Sequence, residues 1–231
     1  MPDDGLRKVW TAAIDPDDYD AHMAVVGQAA ANAELVRDLL LGWPPATASI
    51  LLAGAGTGQF VDYVGTSFLT PYEVTASDLN PRFLERLQAK FEGFGGTLRV
   101  VVDDVEQTAL APGFGAVILV LVLEHVDWRR ALASLAALAP ERWIVVVQRT
   151  PPGVPVAGTG AKLPVGTMTA FRQVQPSVVD EHELVGELAS IGYALLARRE
   201  RPVAGGKTMV GLVFGRDPQG SPITRGSLQR W

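Results

Sequence analysis

One stretch constrains this chain more than any other. Ile50-Leu51-Leu52-Ala53 runs straight into Gly54-Ala55-Gly56-Thr57-Gly58, and an amphipathic segment from Phe60 to Phe68 follows at once. An apolar run of strand length, a glycine-rich turn and a helix start make a βα unit. Glycine suits that turn because the backbone must adopt dihedrals that side chains disfavour. It also lets a ligand approach where a Cβ would stand. Such a loop reads first as a nucleotide site.

The same alternation continues along the chain. Tyr72 to Ser77 reads as a second strand closed by Asp78, and Asn80-Pro81 is an N-cap followed by proline at the first helical position. Phe83, Leu84, Leu87 and Phe91 form that helix's apolar stripe; Leu98 to Val102 is a third strand, closed by Asp103-Asp104-Val105-Glu106. Ala116 to Leu123 is apolar on both faces, as expected at the centre of a parallel sheet covered by helices. Asp127 caps a helix buried through Leu132, Leu135, Ala136 and Leu138, and Trp143 to Val147 is a fifth strand. Asp180 and Glu183 read as a capping box, with His182 facing solvent, before a helix that stops at Gly192. Tyr193 to Arg201 and Thr208 to Phe214 then form a hairpin across Ala204-Gly205-Gly206. Ahead of the first strand, Asp15 to Leu41 has a single helical period, ended by Gly42-Trp43-Pro44-Pro45.

Composition removes several classes of function. At 231 residues and 48% hydrophobic content, the chain suffices for one α/β domain and a small helical extension. A net charge of −5 argues against a broad grip on nucleic acid or an anionic membrane. There is no cysteine, and His22, His125 and His182 lack ligand-like spacing, so no metal site is expected. The N-terminus is acidic, and the greasiest run falls far short of about 20 residues, so the expected location is the cytoplasm.

The glycine spacing selects among nucleotides. A dinucleotide fingerprint, G-x-G-x-x-G, would put its third glycine at position 59, which is Gln59; the glycine falls one residue earlier, at Gly58. G-x-G-x-G followed by an acid closing the next strand resembles the class I S-adenosylmethionine-dependent methyltransferases, and the terminal hairpin agrees. The resemblance runs from about Ile50 to Gly215. It implies a doubly wound, seven-stranded, mostly parallel sheet of Rossmann-like methyltransferase type, with an N-terminal helical cap and an antiparallel last strand. The division expected is a cap over residues 1–45, a methyltransferase domain over 46–215 and a polar tail over 216–231.

The resemblance also implies roles. Gly54, Ala55, Gly56, Gly58 and Gln59 would hold S-adenosylmethionine, with Asp78 and Leu79 at the ribose and Asp104 and Val105 at the adenine; Asp103 is the close alternative to Asp104. Glu124-His125-Val126-Asp127-Trp128 is similar to a run that small-molecule methyltransferases carry after the fourth strand. Two positions depart from that family: Gly115 stands where an aspartate often opens the strand, and Val120 where a polar residue often ends it. Contact there would be made by backbone, beside an apolar wall. Helices ahead of the first strand commonly form part of the acceptor pocket, which makes Tyr19, His22 and Gln28 candidates, with Trp128, Gln148 and Arg149 from the sheet's carboxyl edge.

Methyl transfer needs the nucleophile collinear with the methyl group and, for an oxygen or nitrogen acceptor, a group to take the proton. His125, at the carboxyl edge of the central strand, is the first candidate base and His22 the second, while Glu124 could orient His125 or touch substrate. The expected reaction is methylation of O or N, or of C, on a small, partly hydrophobic metabolite of specialised metabolism, releasing S-adenosylhomocysteine. The Pro/Gly-rich run over 151–176 is read as a lid, or as an arm to a second copy in a homodimer. Two other readings stay open: a methyltransferase-like protein that transfers no methyl, such as a cyclase or binding module, and a nicotinamide-dependent oxidoreductase.

Overall fold

The computed structural model describes residues 7–154, 166–172 and 176–216. One sheet organises them: β1 (Ser49–Ala53), β2 (Glu73–Asp78), β3 (Thr97–Val102), β4 (Ala116–Val120), β5 (Arg142–Arg149), β6 (Tyr193–Pro202) and β7 (Thr208–Arg216). Their spatial order is β3-β2-β1-β4-β5-β7-β6. The first five strands pair in parallel, and β7 enters antiparallel between β5 and β6. The winding reverses between β1 and β4, so their carboxyl ends diverge into the crevice where such sheets bind ligands.

The two-residue period of the strands builds two cores. Leu51, Val117, Val145 and Leu212 pack under α5 (Trp128–Ala136) and α6 (Glu181–Ser190). Their neighbours Ile50, Leu52, Ile118 and Ile144 pack on the opposite face, beneath α2 (Gln28–Gly42) and α4 (Pro81–Lys90). Both faces of β4 are therefore covered, which explains its unbroken apolar sequence. Burying Phe83, Leu84 and Leu87 of α4 contributes about 1.5–3 kcal/mol each. Gly115 precedes β4 where a Cβ would lie 2.1 Å from the Thr47 carbonyl oxygen, so an aspartate cannot stand there.

Several local expectations are corrected. The single helix over Asp15–Leu41 is two, α1 (Pro16–Val26) and α2, broken by Gly27 at φ +70°. Periodicity missed the break because apolar spacing resumes directly after it. Of Phe60–Phe68, only α3 (Val61–Val64) is α-helical. β4 stops at Val120 rather than Leu123; Leu121 adopts φ +55° and the chain turns into a 3-10 segment, Leu123–His125. Asp180 caps α6 by accepting from the His182 and Glu183 N–H groups, but Glu183 pairs with Arg129 at 2.6 Å, so the capping box is half made. His182 is exposed, as expected.

Within the Pro/Gly-rich run, Gly166–Arg172 forms a 3-10 segment. Met168 is buried against Ile14 and Phe83, and Thr167 bonds to Asp18 and to the Asp15 N–H. This part of the expected lid therefore rests on the N-terminal region. The rest of that run, 155–165 and 173–175, and the tail from Asp217 lie outside the described residues.

Candidate functional site

Three glycines curl the loop after β1, each for its own reason. A Cβ on Gly54 would approach Val122 to 2.6 Å, and one on Gly58 would meet Leu87 of α4 at 3.0 Å. At Gly56 the nearest neighbour would be the Tyr19 ring at 3.6 Å, an ordinary contact, so packing alone does not require glycine there and the bare backbone lines the cleft. The Ala55 N–H donates to the Ser77 carbonyl at 2.8 Å and ties the loop to β2.

Asp78 completes this link. One carboxylate oxygen accepts from the Gly56 N–H and the other from the Asn80 N–H, both at 2.9 Å. Each oxygen keeps acceptor capacity for a ligand hydroxyl. Burial in the cleft raises the Asp78 pKa above the usual carboxylate value, against the opposing pull of those N–H groups. The cleft, about 720 Å³ and open to solvent, is also lined by Leu79, Asp103, Val105, Val120 and His125.

The two acids after β3 are distinct. Asp103 accepts from the Thr108 hydroxyl at 2.7 Å and the Ala109 N–H at 3.0 Å, so both its oxygens serve the following loop. Asp104 caps the turn through the Glu106 N–H at 3.0 Å and accepts from Arg7 at 2.6 Å and Gln107 at 3.2 Å. Burial alone would raise the Asp104 pKa; the Arg7 and Glu106 bonds outweigh it and hold the carboxyl below its usual value.

Across the cleft stands an aromatic wall of which the sequence reading named only Tyr19 as a pocket candidate. Tyr19 stacks on Phe83 with ring centroids 5.2 Å apart, and Trp10 meets Tyr19 and His125 edge-on at 5.6 and 4.9 Å. The Trp10 carbonyl accepts from the Asn80 side chain at 2.9 Å. Trp10, an aromatic in the short, mostly apolar run Val9–Ile14 ahead of Asp15, was the available signal. Asp20 of α1 accepts from Thr57, from Gln59 at 2.9 Å and from Lys90 at 3.0 Å, joining the helix to the glycine loop and to α4. Beyond the loop lies a second chamber of about 640 Å³, lined by Met23, Asn32, Val36, Phe60 and Ile118. Both spaces share Tyr19, Gly54, Gly56, Val120 and Leu121.

The base candidates are placed less favourably. His125 lines the cleft, but burial pushes its pKa from 6.5 down to about 4, which makes it a weak proton acceptor. Burial, and then the Lys207 charge, lower His22. Glu124 is buried with one oxygen accepting from the Gln148 N–H at 2.8 Å; burial lifts its pKa to about 7, and it lines neither space. Gln28 donates to the Gln148 side chain at 2.6 Å beneath the cap. Trp128 and Arg149 line neither space: Trp128 packs in the α5 core, and Arg149 pairs with Glu200 at 2.6 Å. Lys207, 1% exposed and close enough to His22 to affect it, was not foreseen.

Among the described residues, no His/Asp/Glu group could hold a metal, and no helix is long and apolar enough to cross a membrane. Residues 50–140 match the family model described as a methyltransferase domain. No curated protein sequence matches the chain. In fold, the chain is similar to magnesium protoporphyrin IX methyltransferase of Synechocystis PCC 6803 with bound S-adenosylhomocysteine, at TM-score 0.60 and 17% identity over 93% of this chain and 94% of that one. It is also similar to the N-methyltransferase NodS of Bradyrhizobium japonicum WM9, at 0.56 and 18% over 81% and 85%. A third likeness is to the 4+2 cyclase SpnF, at 0.57 and 13% over 78% and 80%. S-adenosylmethionine fits the residues present: open backbone at Gly56 faces the cleft, and a buried carboxylate at Asp78 retains acceptor capacity. Over residues 50–140 the chain is therefore similar to methyltransferase domains, on a fold shared with the solved methyltransferases named above.

Proposed function

We propose that the protein methylates an oxygen or nitrogen, or a carbon, of a small, partly hydrophobic metabolite of specialised metabolism. The observation that carries this is the cleft itself, where an acidic, backbone-built side meets the aromatic wall of Trp10, Tyr19 and Phe83. S-adenosylmethionine, when bound, supplies an activated methyl group. Asp78 would accept from the ribose hydroxyls, Leu79 and Val105 would flank the base, and Asp104, held by Arg7, would face its amino group. Asp103 stays the alternative for that last role: it lines the cleft, and the oxygens of both acids already accept bonds, Asp103 from Thr108 and Ala109, Asp104 from Glu106, Arg7 and Gln107. Tyr19 and the N-terminal segment would orient the acceptor and exclude water, with Gln28 and Gln148 beneath.

With His125 held near 4, the acceptor atom must bring its own lone pair, as a neutral amine or an already ionised oxygen does. The rate should then follow the acceptor's own pKa and show no histidine limb between pH 6 and 7. Incubation with S-adenosylmethionine and a panel of amines, phenols and carboxylic acids tests this reading by acceptor-dependent release of S-adenosylhomocysteine. The second reading is a protein that binds the cofactor without methyl transfer. It is favoured by the burial of His125, the histidine that lines the cleft, which lowers its pKa to about 4. Binding without release for any acceptor would select it.

A further inference from the structure

A buried lysine stands at the carboxyl edge of the sheet, outside both spaces described above. Lys207 is 1% exposed and directly precedes β7, which runs antiparallel to β5, so it lies beside the end of β5. Thr208 pairs with Arg149 and Met209 with Gln148, which brings Lys207 level with Thr150. The two-residue alternation sets its side. Met209 and Val146 pack in the core beneath α2; Lys207, extended at φ −79° and ψ 161°, and Gln148 each lie two residues further along on that same face.

The cap meets this spot with polar groups. Gln28, the first residue of α2, donates to the Gln148 carboxamide at 2.6 Å, and Gln148 donates to the Thr150 hydroxyl at 2.8 Å. Burial and then the Lys207 charge lower the pKa of His22, so this imidazole of α1 is near the ammonium. His22, Gln28 and Gln148 are each no more than 9% exposed. Packing alone does not call for this cluster, because burying a charged side chain is costly and an apolar one would join β7 to α2 without that cost.

Its chemistry selects an anion. An ammonium only donates, the Gln28 amide nitrogen carries a second hydrogen, and a neutral imidazole has one N–H, a donor set that suits a two-oxygen acid. The cluster also adjoins the cleft. Met23 and Ala29, the residues after His22 and Gln28, line the second chamber, and Leu121, packed against them, lines both spaces. Met23 is unbranched and adapts its shape, and Gly27, with open space around it, joins the two helices, so this wall can yield to a ligand.

Resting on the methyl-transfer reading above, we propose that the acceptor is a carboxylic acid, anchored through its carboxylate by Lys207, Gln28 and His22, with its apolar body towards Tyr19. The carboxylate is then the handle rather than the methylated group. Calorimetry at neutral pH on the S-adenosylhomocysteine complex tests this, with benzoate, phenylacetate and cinnamate compared with their primary amides. Wild-type protein should bind the acids roughly tenfold or more tighter than the amides. Lys207→Met keeps the length and removes the charge; it should erase that preference and leave S-adenosylhomocysteine affinity unchanged. Gln28→Leu, which keeps the lysine, should narrow the preference. Acids bound no better than amides, acids not bound at all, or a preference intact in either variant would overturn the proposal. Wild-type protein that binds no S-adenosylhomocysteine would instead refute the methyl-transfer reading.

Discussion

The two sides of the cleft are built by different means. Along the carboxyl ends of β1, β2 and β3, the ligand would meet backbone and carboxylates that are themselves fixed by backbone: Gly56 to Asp78, Asp78 to Asn80, Asp104 to Glu106. The opposite side is made of side chains, Trp10, Tyr19 and Met23, on segments joined to the loop and to Asp104 through Asp20 and Arg7. Backbone geometry suits a cofactor that never changes. Side chains can be exchanged without refolding the sheet, which suits an acceptor that differs from protein to protein.

Substitutions at Gly56 and Gly58 test that contrast most severely. Gly56→Val should weaken S-adenosylmethionine binding by more than ~100-fold, while left-handed strain costs the fold about 1–2 kcal/mol. Gly58→Val should do the reverse, destabilising by about 3 kcal/mol or more through Leu87. Calorimetry and thermal melts on the pair measure both terms; equal binding losses would erase the distinction between ligand-facing and packing glycines.

Glu124 gives a pH signature. Its carboxyl pKa rises from 4.5 to about 7 on burial, so the folded state holds the proton more tightly than the unfolded one. The resulting stability is complete below pH 4.5 and is lost as pH rises through 7. Glu124→Gln should flatten the melting temperature over that window and raise stability above it by on the order of 2–3 kcal/mol. A slope like that of the wild type would mean that another group titrates.

The cap's attachments should matter less. Asp20→Ala removes the bonds to Thr57, Gln59 and Lys90 and should reduce cofactor affinity about tenfold. An unaltered affinity would uncouple the helix from the loop. Arg7→Ala breaks a pair whose arginine is 45% exposed, so less than about 1 kcal/mol is expected, fading as salt rises. Titrations at two ionic strengths check it.

The sheet side was legible because its signals are local. The strands could be read from apolar runs, the loop from glycines next to a strand, Asp78 from its place at the end of the second strand and Asn80 from cap chemistry; the sheet's topology came only with the resemblance. Gly27 split a helix that periodicity joined, because one left-handed residue leaves the apolar spacing unchanged on either side. Trp10, Asn32 and Lys207 escaped because their surroundings come from segments distant in sequence. Trp128 was placed by its nearness to His125, yet the 3-10 turn at Leu123–His125 carries it into the α5 core. A neighbour in sequence at a strand end is a poor guide to which side of a turn a side chain takes.

The central claim is that Asp78 and the glycine loop together bind S-adenosylmethionine. Titration of the wild type and Asp78→Asn with S-adenosylmethionine, and of the wild type with NAD⁺, tests it directly. Asparagine keeps an acceptor for the loop but loses the charge that would meet the ribose. The expected result is tight S-adenosylmethionine binding, weakened roughly tenfold or more in the variant, and no NAD⁺ binding. Equal affinity in the variant, or binding of NAD⁺ alone, would contradict it.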